Sequence, residues 1–137
     1  MRFVDTNVLL YAISTDPNEA SKRSVANALL DEEDIALSAQ VLQEFYVQAT
    51  RSTRGARIAH EQAASLVRSF ARFPIKPTNV QLVMAAIGTR ERFGLSYWDA
   101  AIIEAARALG CAEVLSEDLG AGQDYAGVVV KNPFASA

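Results

Sequence analysis

The chain has 137 residues and a mass of 14.8 kDa, which suits a single domain over residues 1–137 with a core that needs no staples. Half of the residues are hydrophobic and 21% are charged; with one cysteine (Cys111) and one histidine (His60), this excludes a disordered chain, an internal disulfide, and a zinc finger or histidine-rich metal site. The net charge of −3 is unevenly spread: residues 1–44 carry −5, residues 45–90 carry +6 and residues 91–137 carry −4, so an acidic protein holds one basic stretch suited to a polyanion.

The elements follow in order. Arg2–Val4 reads as a short buried strand that runs directly into a helix, Thr6–Ser14. The apolar run Val8–Ile13 is too short to span a membrane, and Asp5 and Asn7 precede it where a signal peptide excludes acids; a soluble, cytoplasmic protein without membrane contact is expected. Asp16-Pro17-Asn18-Glu19 starts a second helix, with Val25, Ala28 and Leu29 inward. The acidic run Asp31–Asp34 lacks the glycine and spacing of a calcium loop and reads as a solvated turn. Ile35–Ser38 is the next strand. Ser38 caps a helix to about Arg51 whose apolar side carries Val41, Leu42, Phe45 and Ala49.

Ser52–Arg57 is a loop containing Gly55. A helix from His60 to Phe73 buries Ala63, Leu66, Val67 and Phe70, and Pro74 and Pro77 bracket a short extended piece. Thr78-Asn79-Val80-Gln81 forms a capping box for a helix closed by Gly94. Ser96-Tyr97-Trp98-Asp99 forms another, opening a nearly all-apolar helix that ends at Leu109. Glu113–Leu115 and Gly127–Lys131 are the last strands. Strands alternating with helices imply a parallel sheet covered on both faces.

Sites in such sheets form beyond the carboxyl ends of the strands. Asp5 follows the first strand and Asp118 follows Glu113–Leu115 closely. Asp99 lies in the first turn of the apolar helix, and Glu44 at the edge of an apolar face. Each has a plainer role available: Asp5 and Asp99 as helix caps, Glu44 in the surface line Gln40–Glu44–Gln48, Asp118 as a turn residue. If all four meet at one rim, their charges repel unless cations hold them. All-oxygen ligation suits Mg²⁺ or Mn²⁺, and metals of this kind support phosphodiester hydrolysis.

The order and spacing of Phe3-Val4-Asp5-Thr6-Asn7, Leu37–Phe45, Leu95–Ala100, Leu115-Ser116-Glu117-Asp118-Leu119 and Asn132-Pro133-Phe134 resemble PIN-domain proteins, above all VapC-type toxins of bacterial toxin–antitoxin pairs. The resemblance runs from Phe3 to Phe134. It implies a three-layer α/β/α fold with a short central parallel sheet. It also implies a Mg²⁺- or Mn²⁺-dependent endoribonuclease that leaves 5′-phosphate and 3′-hydroxyl ends, restrained by a cognate antitoxin and assembled as a homodimer. Its motif positions fall on Asp5, Glu44, Asp99 and Asp118, with Thr6, Asn7 and Ser116 as polar neighbours. Ser116 stands where many relatives carry Thr and keeps the hydroxyl, and Glu117 competes with Asp118 for the fourth place.

On this reading Asp5 and Asp99 bind the main metal, and Glu44 binds or orients its waters. Asp118 completes the site or serves a second metal. Arg51, Arg54 and Arg57 are candidate contacts for RNA phosphates or for the antitoxin. Two other readings stand beside it: a housekeeping PIN nuclease of RNA processing, and an acidic binding or receiver-like module for which Lys131 is the sole candidate lysine.

Overall fold

The computed structural model describes residues 1–51 and 57–136. The elements are β1 (Arg2–Val4), α1 (Thr6–Ala12), a 3₁₀ turn (Pro17–Glu19), α2 (Ala20–Leu30), β2 (Ile35–Ser38), α3 (Ala39–Ala49), α4 (His60–Phe70), β3 (Ile75–Lys76), α5 (Val80–Phe93), α6 (Tyr97–Ala108), β4 (Glu113–Leu115), β5 (Asp124–Tyr125) and β6 (Val128–Lys131). The strands form one six-stranded sheet in the order β3-β2-β1-β4-β6-β5, parallel except for the β5–β6 pair.

β1 is the central strand. Phe3 faces Ala36 of β2 on one side and Val114 of β4 on the other. The central strands are apolar on both faces, as a sheet covered twice requires, and Phe3, Val4, Ile35, Leu37, Val114 and Val130 are buried. The crossovers from β1 to β2 and from β2 to β3 run in one direction and carry α1 to α4. The connection from β3 back to β4 carries α5 and α6 in the opposite direction. Right-handed crossovers of opposite direction put their helices on opposite faces, which gives the expected three layers. α6 packs across β2, β3, β4 and β6, and its run Ala100–Ala106 is buried all round. α5 lies against it through Ala86, Ala100 and Ala101. Among the described residues no helix is long and apolar enough to cross a membrane.

Several boundaries differ from the expectation. The second helix begins as a 3₁₀ turn capped by Asp16, whose side chain accepts from the Asn18 amide at 2.9 Å. In the α-helix that follows, Ala26, Leu29 and Leu30 are buried and Val25 is half-buried, while Ala28 is exposed. The helix starting at His60 stops at Phe70 rather than Phe73, though Phe73 still enters the core through the turn that follows. α1 ends at Ala12, and the buried Ser14 turns back to donate to Glu19. Asn79, not Thr78, caps α5 by accepting from the Leu82 amide at 2.9 Å; Asn is among the strongest caps. Gly127 belongs to a turn, not a strand. With Ala126 at φ 54° and Gly127 at φ 97°, a two-residue hairpin joins β6 to the unexpected β5.

Candidate active site

The direction of the sheet reverses between β1 and β4, where open α/β sheets carry their sites. Asp5 leaves β1 with its amide still paired to the Leu115 carbonyl at 3.0 Å. Its extended backbone makes it the N-cap of α1, and one carboxylate oxygen accepts from the Thr6 amide at 2.8 Å. The capping role expected of Asp5 is therefore real, but it occupies only one oxygen. The other accepts from the Ser116 hydroxyl, which lies just beyond β4, at 2.8 Å. Ser116 in turn accepts from the Asp118 amide at 3.1 Å and the Leu119 amide at 3.2 Å, so a single buried hydroxyl fixes both Asp5 and the turn that presents Asp118.

Asn7 ties the same two strand ends together. Its amide nitrogen donates to Ser116 Oγ and Asp118 Oδ2, each at 3.2 Å, and its oxygen accepts from the Glu117 amide at 3.2 Å. Glu44 sits half-buried on α3 and accepts from Gln40 at 2.9 Å. Gln40 also donates to the Trp98 carbonyl at 3.2 Å, which joins α3 to the start of α6. There Ser96 caps α6 by accepting from the Asp99 amide at 3.1 Å.

These positions converge. Asp5, Glu44, Asp99 and Asp118 all line one cavity of about 110 Å³, together with Thr6 and Asn7. Burial pushes the Asp5 carboxyl up to about 6 despite its hydrogen bonds to Ser116 and Thr6, and the nearby charges of Glu44 and Asp118 push the same way. Burial also raises Glu44, with Asp99 adding to it. Two features of this cavity suit a divalent cation. Its ionic donors are all carboxylates, and Thr6 Oγ1 is buried there with no hydrogen-bond partner. Among the described residues, no three acidic, histidine or cysteine side chains converge tightly enough to hold an ion between them. The arrangement suits Mg²⁺, which binds through one or two carboxylates and keeps several waters.

Other candidates lie elsewhere. Glu117 turns away from the acids, accepting from the Tyr11 hydroxyl and from Lys22 Nζ, each at 2.6 Å; this pair lowers its pKa. Arg51 lines a neighbouring cavity, Arg57 is exposed and lines neither, and Arg54 falls outside the described residues. Lys131 is paired with Glu113 and does not line the acid cavity, which removes the support for a receiver-like module. His60 is exposed and bonded to the Tyr46 hydroxyl at 2.7 Å. Sequence reasoning gave no site role to Leu10, Gln40, Gln48, Trp98 and Ile102, which complete the cavity wall. Gln40 and Gln48 carried a usable signal, their places four residues before and after Glu44.

The PIN domain family profile matches residues 2–123. The FitAB complex bound to an IR36 DNA fragment contains a chain 25% identical to this one, with a TM-score of 0.72 over 98% of this chain and 96% of that chain. The same fold recurs at 20% identity in a toxin–antitoxin complex from Klebsiella pneumoniae, with a TM-score of 0.70 over 97% of this chain and 98% of that one. It recurs again at 16% identity in VapC20 of Mycobacterium tuberculosis, described as a sarcin–ricin loop cleaving toxin (TM-score 0.65, 86% of this chain and 90% of that one). No curated protein sequence matches significantly. A profile that runs from β1 past β4, on a fold shared over nearly its full length with these structures, makes the chain a member of the PIN domain family.

Proposed function

We propose that the chain is a Mg²⁺- or Mn²⁺-dependent endoribonuclease and the toxin of a toxin–antitoxin pair. The observation that carries this reading is the cavity at the β1/β4 switch. It gathers three acids and an unpartnered hydroxyl around a fourth carboxylate, Asp5, that is buried among neutral donors and like charges. Asp5 and Asp99 would hold the metal, with Thr6 Oγ1 available to it or to one of its waters. Glu44, braced by Gln40, orients those waters, and Asp118, braced by Asn7, closes the cavity on the β4 side. When bound, the cation stabilises charge building on a phosphodiester and activates an attacking water. Ser116 holds Asp5 in its charged, ligating form by donating to it.

The family resemblance supports 5′-phosphate and 3′-hydroxyl products, a homodimer and a cytoplasmic setting. A cognate antitoxin as partner draws support from the neighbouring structures, several of which are toxin–antitoxin complexes. The test is cleavage of a mixed RNA substrate in Mg²⁺ or Mn²⁺. Activity should stop in excess EDTA, return with metal, and vanish in Asp5→Asn. Cleavage that persists in EDTA would overturn the metal mechanism, and absence of metal-dependent cleavage would overturn the nuclease reading.

A further inference from the structure

The acid cavity does not end at Asp118. A second cavity of about 390 Å³ opens beside it, and the two share Asn7, Leu10, Gln48 and Asp118 as common wall. One helix face links them. Glu44, Gln48 and Arg51 follow one another at i, i+4 and i+7 on α3 and its end, so Glu44 faces the acids, Gln48 faces both cavities and Arg51 faces only the second. The polar line that reads in the sequence as solvated surface is thus the wall of a groove about 10 Å long from Glu44 to Arg51.

The second cavity is unsuited to a phosphate. Among the described residues, Glu19, Glu117 and Asp118 face it against the single cation Arg51. Its chemistry is that of hydrogen-bond readout on an apolar floor. Leu10 and the Tyr11 ring supply the floor, and Lys22 over one side of that ring, with Phe134 packed edge-on, keeps it from moving. Tyr11 and Lys22 each donate to one oxygen of Glu117, which leaves that carboxylate fixed in place with further lone pairs to offer. Gln48 brings an amide able to donate and accept.

From this we infer that the second cavity is a nucleobase subsite for the nucleotide next to the cleaved bond, and that it prefers guanine. The inference rests on the nuclease reading above. Guanine presents adjacent N1–H and N2–H₂ donors, which match a fixed carboxylate. It also presents O6 and N7 acceptors, which match a guanidinium. Uracil offers a single ring donor between two carbonyls and matches the set worst. Lys22 and Tyr11 are positioning residues in this scheme, acting through Glu117, while Gln48 and Arg51 touch the base.

The experiment uses an RNA oligonucleotide randomised at every position, cut in Mg²⁺ by wild type, Asp5→Asn, Gln48→Ala and Arg51→Gln, with the new ends sequenced. The readout is the ratio of the four bases at each position around the cut, which is internal to each variant and independent of its overall rate. Wild type should enrich guanine about tenfold at one position beside the cut, as expected for one good bidentate contact. Gln48→Ala and Arg51→Gln should each flatten that position while leaving any preference elsewhere intact. Gln48 is only partly buried and Arg51 is exposed, so neither change threatens folding, and unchanged melting curves check this. Asp5-dependent cleavage with no guanine enrichment, or with one that both variants keep, overturns the subsite and leaves the nuclease standing. Absence of Asp5-dependent cleavage overturns the nuclease reading and the subsite with it.

Discussion

Two carboxylates, Asp5 and Glu104, are each 8% exposed, and they are treated in opposite ways. Glu104 comes with its own cation. Arg107, one turn later on α6, donates to it at 3.1 Å, and the Thr89 hydroxyl of α5 donates at 2.8 Å. Arg107 then reaches the hairpin, donating to the Tyr125 and Ala126 carbonyls at 2.6 and 2.7 Å. That cluster is architecture: a neutralised acid joins α5, α6 and the β5–β6 turn. Asp5 receives only neutral donors, and the charges around it are negative. No basic side chain pairs with it among the described residues. The acid used for packing carries its counterion in the sequence, whereas Asp5 has none among the described residues, as the proposed metal site requires.

The sharpest way to break this contrast is Asp5→Asn. RNA cleavage should fall at least a hundredfold, about 2.7 kcal/mol in barrier. Stability should move the other way. Burial raises Asp5 from its ordinary 3.8 to about 6, so the native state keeps the proton between those values where the unfolded chain has lost it. The metal-free protein should therefore lose stability as pH rises through that window, by about 2–3 kcal/mol. Melting curves in EDTA should show Asp5→Asn more stable than wild type at pH 8, with the advantage gone by pH 4. A variant destabilised at pH 8 would mean that the cap outweighs the buried charge.

Glu104→Ala should do the reverse. It strands Arg107 and Thr89 and opens a small void, costing about 2 kcal/mol, at the modest end for a broken pair because Arg107 is over a third exposed. Urea denaturation should register the loss at pH 7 with or without Mg²⁺, and cleavage per folded molecule should be unchanged. A Glu104 variant that alters the Mg²⁺ response would erase the distinction between the two acids.

α6 allows a finer comparison within one turn. Ser96→Ala removes the cap and should lower stability by about 1 kcal/mol while cleavage persists. Asp99→Asn should cost no stability in EDTA, should shrink the gain in Tm on adding Mg²⁺, and should abolish cleavage. Thermal melts paired with cleavage rates separate the two. The smallest effect belongs to the turn that Arg107 holds: Ala126 sits at φ 54°, so Ala126→Gly should add about 0.5–1 kcal/mol, read by chemical denaturation.

Much of this was legible before any coordinates. Ser38 and Ser96 cap the helices they were expected to cap, Gly94 closes α5 at φ 69°, and strands flanking Asp5 announce a parallel sheet because their apolar runs have no polar face. Short-range rules govern those features. What was not legible depends on two remote segments meeting. β5 is two residues long and exists only because Val128 and Val129 pair with it. Glu44 looks like surface until Gln40 ties α3 to Trp98. Glu117 and Asp118 part company through Lys22 and Tyr11, about a hundred residues away in sequence, whose donors draw Glu117 aside while Asp118 lines the acid cavity.

The hydrogen bond between Ser116 and Asp5 spans 111 positions of sequence, as does the pairing of Arg2 with Glu113. During synthesis Asp5 is made 111 residues ahead of Ser116 and waits for that partner until most of the sheet has been made. A nascent chain that stops before β4 has neither Ser116 nor Asp118 and no closed acid cavity. Contacts of such long range also slow folding, because loop closure precedes their reward. On the proposed nuclease reading this delay is useful, because the acid cavity closes only after β4 has been made.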